Sequence, residues 1–169
     1  MGRLGEYGIT ENYKKCLVMG LEYQDFVFDQ FRRMDGMPIF LGSYASKKYQ
    51  YTKGESPSGL EIKYDNKMKE TKNLFIEYKE KSNPDNQEFV ASGIMREDNT
   101  WLYLIGDYEQ AFMFAKKTLR GYFLTYENKL EKRLSNTKTS WGFLLPIDKV
   151  LKHSFLLAKH IIFIQGDTH

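Results

Sequence analysis

Two short segments, Leu60–Asp65 and Leu74–Lys79, alternate apolar and polar residues one by one, and this restricts the fold more than any other feature of the chain. Successive side chains of a strand point to opposite faces. Leu60, Ile62 and Tyr64 therefore share one face, and Glu61, Lys63 and Asp65 share the other. In the second segment Leu74, Ile76 and Tyr78 oppose Phe75, Glu77 and Lys79. The link between them, Asn66–Lys72, is polar, so the pair reads as a β-hairpin. With its tip near Lys69, Glu61 falls opposite Glu77, Lys63 opposite Phe75 and Asp65 opposite Asn73, with Cβ atoms ~4.5–5.5 Å apart.

The flanking sequence supplies helices and further strands. Glu11–Arg33 reads as a helix, with Thr10 as N-cap, Leu17, Leu21, Phe28 and Phe31 at helical spacing, and Gly20 weakening its middle. Asp35-Gly36 and Pro38 end it. Pro38–Tyr44 reads as a strand or a loop, and Lys47–Lys53 as a half-exposed strand. After the second alternating segment come a turn at 83–86, a short strand in Phe89–Met95 and a stronger one at Trp101–Ile105. Tyr108–Tyr122 reads as a helix, through Phe112, Ala115 and Leu119, with a strand at Ala111–Ala115 as the alternative. Glu127–Leu134 is charged and exposed, Gly142–Leu145 a strand, Pro146–His160 a helix and Ile161–Ile164 an edge strand. One domain over 1–169 is expected, α/β in class, with a central mixed β-sheet flanked by helices.

Composition narrows the functional classes. A single cysteine, Cys16, rules out an internal disulfide and a multi-cysteine zinc site, and fits the cytoplasm. Cys16 sits on an apolar helix face and reads as buried packing. His153, His160 and His169 have no carboxylate at a metal-site spacing. There is no leader pattern and no apolar run long enough to cross a membrane. Net charge is +3, unevenly spread: residues 47–81 hold nine lysines against six acids, 82–115 one basic against six acidic, and 116–138 seven basic against two acidic. The basic stretches suit a polyanion, or are simply a solvated surface.

Paired carboxylates at hairpin spacing repel unless a cation or proton lies between them, and a hard divalent ion suits two oxygen donors. Lys79 stands two residues beyond Glu77, on the same face. An acidic residue on one strand and Glu-x-Lys on the next, after a helix, resembles the PD-(D/E)xK nuclease superfamily over roughly residues 20–110. The resemblance implies a restriction-endonuclease-like core, Mg²⁺ or Mn²⁺, and hydrolysis of DNA phosphodiester bonds. Glu61 and Glu77 would hold the metal and Lys79 would stabilise charge. Asp65 is the more usual residue type for the first acid but lies at the strand's far end, about 13 Å along. A further acid often comes from the first helix, here Glu22, with Gln24 and Asp25 close by. Lys53, Lys63, Lys116, Lys117 and Arg120 would contact the DNA backbone, and a homodimer would cut two strands.

The sequence departs from this pattern in lacking Pro-Asp. It also holds a second Glu-x-Lys, Glu61-Ile62-Lys63, which would itself be the motif if Glu55 or Asp35 were its acidic partner. Two rivals remain: a non-catalytic DNA- or protein-binding module on the same fold, and an inhibitor of a host defence protein acting through its tyrosine-rich surface.

Overall fold

Leu102-Tyr103-Leu104-Ile105-Gly106 carries no charged side chain, as befits a strand covered on both faces. The computed structural model describes residues 11–33, 53–152 and 159–163, and this strand lies at the centre of them. In chain order the elements are helix α1 (Glu11–Arg33), strand β1 (Leu60–Tyr64), a one-turn helix α2 (Met68–Thr71), β2 (Asn73–Glu80), β3 (Val90–Ala91) and a 3₁₀ turn (Gly93–Met95). Then follow β4 (Leu102–Gly106), β5 (Gln110–Ala115), α3 (Lys116–Tyr126), β6 (Lys132–Leu134), β7 (Ser140–Pro146), α4 (Ile147–Lys152) and β8 (Lys159–Ile162).

The chain is mixed α/β, and its described residues form two four-stranded sheets ordered β1–β4–β5–β8 and β3–β2–β7–β6. The first is mixed, because β1 runs parallel to β4 while the other pairs are antiparallel. The second is antiparallel throughout. One face of the mixed sheet packs on α1, where Tyr23, Val27 and Phe31 meet Leu60, Leu104 and Met113. Its other face meets the second sheet: Ile105, Phe112 and Phe114 pack with Leu74, Ile76, Phe143 and Leu145, joined by Leu119 and Phe123 of α3. The alternation of β5 serves both layers, with Ala111 and Met113 turned one way and Phe112 and Phe114 the other.

Both alternating segments are strands, but they do not form a hairpin. β1 pairs with β4, and β2 with β7 and β3. The polar link is a helical turn rather than a hairpin tip. Asp65 accepts hydrogen bonds from the backbone N–H of Lys67 and of Phe75 (3.1 and 3.0 Å), which fastens the end of β1 to the start of β2. Lys72, in the left-handed region at φ 58°, caps α2 and redirects the chain into the other sheet. The facing pairs Glu61–Glu77, Lys63–Phe75 and Asp65–Asn73 are thereby replaced.

Other differences have equally local causes. α1 continues unbroken through Gly20, and its buried stripe starts at Tyr23 and recurs every four residues. Leu17 and Leu21 lie N-terminal to that contact and are 41% and 50% exposed. Phe28 is half-buried, and Cys16 is exposed rather than packed. The helix read over Tyr108–Tyr122 divides between β5 and α3 at Ala115, so its strand alternative is the correct one for Ala111–Ala115. The expected helix is described as α4 over Ile147–Lys152, its first residue Pro146 belongs to β7, and its end at His160 together with Ile161 belongs to β8. His160 stacks on Phe112 (4.7 Å, 5°) and bonds Gln110, a packing role. Thr10, Asp35-Gly36, Pro38–Tyr44, residues 47–52, His153 and His169 lie outside the described residues. No helix among those described is long and apolar enough to cross a membrane.

Candidate functional site

Among the described residues β1 lies at the edge of its sheet, and period two divides its residues cleanly. Leu60, Ile62 and Tyr64 turn to α1, which leaves Glu61 and Lys63 on the side of the second sheet. Glu61 is buried, and its Oε1 lies 2.7 Å from Lys63 Nζ. The parallel register places Tyr103 of β4 beside Glu61. The Tyr103 hydroxyl is buried without a well-formed hydrogen bond among the described residues. Burial and the Glu61 charge both push that phenol up from its ordinary pKa.

The second sheet contributes Glu77. Its Oε1 accepts a hydrogen bond from Ser92 Oγ at 2.5 Å, and Arg96 links Ser92 (3.3 Å) to Glu80 (2.6 Å). Glu55, on the loop before β1, completes the cluster. Burial would lower the pKa of Lys63, but Glu61, Glu77 and Glu55 outweigh it and raise it, which keeps the ammonium charged. Burial, with Glu61 adding to it, pushes the Glu55 carboxyl up against the opposing pull of Lys63 and Arg96.

The lysine that lies with these carboxylates is Lys63, not Lys79. A β-bulge between Glu77 and Lys79 shifts the register of β2 against β7 and breaks the alternation that would have kept the two on one face. Lys79 Nζ instead stands 5.3–5.7 Å from the ring centroids of Phe89, Trp141 and Tyr78, within cation–π range. Asp65 lines the same cleft as Lys63 and Glu77, but its two oxygens are occupied by the N–H groups of Lys67 and Phe75. Burial pushes its carboxyl up despite those donors.

Two clefts meet at Lys63. One, of about 310 Å³, runs from Lys63, Glu77 and Tyr103 across the second sheet. The other, of about 400 Å³, lies toward α1 and is lined by Gln24, Glu55 and Cys16 among others. Of Glu22, Gln24 and Asp25, Gln24 is the one that lines this second cleft, beside Cys16, Leu17 and Leu21 of the same helix. Glu22 is exposed and acts on Tyr108 instead, and Asp25 is exposed.

The residues expected on DNA divide. Lys53 and Lys117 are exposed. Lys116 is buried, with Nζ 2.6 Å from both Asp98 Oδ1 and the Arg96 carbonyl. Arg120 bonds the Ile94 carbonyl (2.9 Å) and Glu97 (2.7 Å). Lys116 and Arg120 therefore brace residues 94–98 against α3 and form no exposed stripe with Lys117. As the first residue of α3, Lys116 sits directly under that loop.

Gly93 fixes the approach of the two site segments. It has φ +50°, and a Cβ on it would lie 2.2 Å from the Glu77 carbonyl oxygen. Gly93→Ala is expected to cost about 2–4 kcal/mol, from left-handed backbone strain plus a steric clash, and to displace Glu77. Urea denaturation measures the first effect, and a stability within 0.5 kcal/mol of wild type would contradict it, since about that much is ordinary for substitutions without strain.

No family model, curated protein or solved structure matches the chain. Its chemistry therefore rests on the site itself. Ser92, Arg96 and Tyr103 carry no local signal in the sequence. The pairing of β1 with β4 brings Tyr103 to Glu61, and the pairing of β2 with β3, continued by the 3₁₀ turn, brings Ser92 and Arg96 to Glu77.

Proposed function

We propose that the chain is a Mg²⁺-dependent nuclease of the PD-(D/E)xK kind that hydrolyses DNA phosphodiester bonds, with Glu61-Ile62-Lys63 as its acid–lysine pair. The observation that carries this reading is a lysine held charged among Glu61, Glu77 and Glu55 at the junction of two clefts. An all-oxygen donor set suits a hard cation. No group of three or more Asp, Glu, His or Cys side chains among the described residues is placed to hold a metal alone. Mg²⁺ is commonly held by one or two carboxylates, with water and substrate phosphate completing its shell, so Glu61 and Glu77 suffice. Bound there, it would neutralise charge and acidify a water molecule.

The chain's own groups do the rest. Lys63 offers donors to a non-bridging phosphate oxygen as charge develops. Ser92 fixes the rotamer of Glu77, and Tyr103 supplies a hydroxyl beside Glu61. The test is cleavage of plasmid and branched DNA with Mg²⁺, Mn²⁺ or EDTA. Cleavage is expected with either metal and none with EDTA. Glu77→Ala should lower the rate by at least about 10³-fold while DNA binding persists.

A binding module without catalysis is the second reading. It is favoured by the Glu61 carboxylate being buried and already neutralised by Lys63. Salt-sensitive DNA affinity with no cleavage in either metal would establish it over the first.

A further inference from the structure

The cleft that starts at Lys63, Glu77 and Tyr103 continues to Phe75 and to the turn between β6 and β7, where Asn136 lines it. The Phe75 ring lies flat against Gly142. Its Cζ, Cε2 and Cε1 stand 2.5, 2.6 and 2.7 Å from where a Cβ on Gly142 would be. Near-equal distances to three ring atoms mean that a face, not an edge, meets the backbone. Any side chain at 142 would lift the ring. One face of Phe75 is thus backed by β7, while the ring lines a cleft of about 310 Å³, the size of a small-ligand site. Around it stand the amide of Asn136, the amide of Asn73, whose Nδ2 also donates to the Thr71 carbonyl (2.6 Å), and the hydroxyl of Ser135, which also bonds Thr137 and the Ser140 N–H. At the other end the buried Tyr103 hydroxyl lies beside Glu61 without a well-formed hydrogen bond among the described residues.

We infer that this cleft receives one unpaired nucleobase, stacked on Phe75 and read along its edge by Asn73 and Asn136. The phosphate next to that base would then lie over Lys63 and Glu77. The inference rests on the nuclease reading and specifies its substrate as single-stranded or locally opened nucleic acid. A base stacked inside an intact duplex cannot enter such a cleft. Base–aromatic stacking is sequence-tolerant, so affinity should depend little on which base is offered.

Binding is measured in EDTA by the anisotropy of a dye-labelled single strand and of a blunt duplex of equal length. Cleavage of both is then measured with Mg²⁺. The single strand is expected to bind and be cut in preference. Phe75→Leu should weaken single-strand binding roughly 5- to 100-fold, Phe75→Tyr should retain it, and neither should change duplex binding. Asn136→Ala, on an exposed turn, should weaken it without affecting the fold, and guards against loss of structure in the Phe75 variants. Equal binding of both substrates, or single-strand affinity unchanged in Phe75→Leu, overturns the nucleobase cleft while duplex cleavage still upholds the nuclease. Single-strand binding that is sensitive to Phe75, with no cleavage of either substrate, supports the cleft and overturns the nuclease. Absence of both binding and cleavage overturns the two together.

Discussion

Lys63→Met is expected to reduce the single-turnover rate of DNA cleavage by about 10²–10³-fold, and Lys79→Met to leave it near wild type. The two lysines look equivalent in sequence, each placed two residues after a glutamate on an alternating strand. Their surroundings separate them. Lys63 contacts Glu61 at 2.7 Å and feels Glu77 and Glu55, so its charge is fixed where a phosphate would meet the carboxylates. Lys79 lies over three aromatic rings on the far side of a bulge. The carboxylates raise the Lys63 pKa, so the ammonium remains protonated throughout the neutral range and should add no limb to the pH–rate profile there. Methionine keeps the length of the side chain and its packing but removes the donors. Rates are compared at saturating Mg²⁺, so that weaker metal binding is not mistaken for slower chemistry. The reverse pattern, with Lys79 essential and Lys63 dispensable, would show that β2 alone carries the motif and would remove the assignment to Glu61-Ile62-Lys63.

That contrast marks the limit of what the sequence discloses. Alternation correctly located β1 and β2, because period two is a local property of a half-buried strand. It also put Glu61 with Lys63, which required nothing beyond one strand. Glu61 and Glu77 do act on the same lysine, though they are brought together by the packing of two sheets rather than by a hairpin. The pairing of β1 with β4 joins residues about forty positions apart and is parallel, so no turn sequence announces it. The bulge at Glu77–Lys79 is equally silent, since β2 itself carries no glycine there and both flanking residues fit a regular strand. Tyr108–Tyr122 misled for a different reason. Phe112, Ala115 and Leu119 satisfy helical spacing, yet Phe112 and Leu119 reach the same core from a strand and a helix. Short apolar runs carry both periods at once, and the two sheets decided between them.

Lys116→Met is expected to destabilise the fold by about 3–5 kcal/mol and to leave the salt dependence of DNA binding unchanged. The Lys116 side chain is 8% exposed and that of Asp98 is 1% exposed, with 2.6 Å between Nζ and Oδ1. Removing the lysine strands a carboxylate inside the protein, where it holds only the Thr100 N–H on Oδ1 while Oδ2 has no hydrogen-bond partner among the described residues. The Arg96 carbonyl loses the same donor, although Arg120 still reaches it at 3.3 Å. For a chain of this size the melting temperature should fall by about 10 °C, as read by circular dichroism. Much of the loss is the cost of an uncompensated charge, so Asp98→Leu added to Lys116→Met should recover part of it. Lys117→Ala, one residue along and exposed, should change stability by no more than about 0.5 kcal/mol. A phosphate-binding Lys116 would behave in the opposite way: its loss would reduce the salt slope by about one charge and leave the melting temperature alone. The loop held by Lys116 carries Arg96, which bonds Ser92, the partner of Glu77. The variant should therefore also slow cleavage, and the double substitution should recover stability more fully than rate, because it restores neither the Lys116 bond to the Arg96 carbonyl nor the position of the loop that carries Arg96.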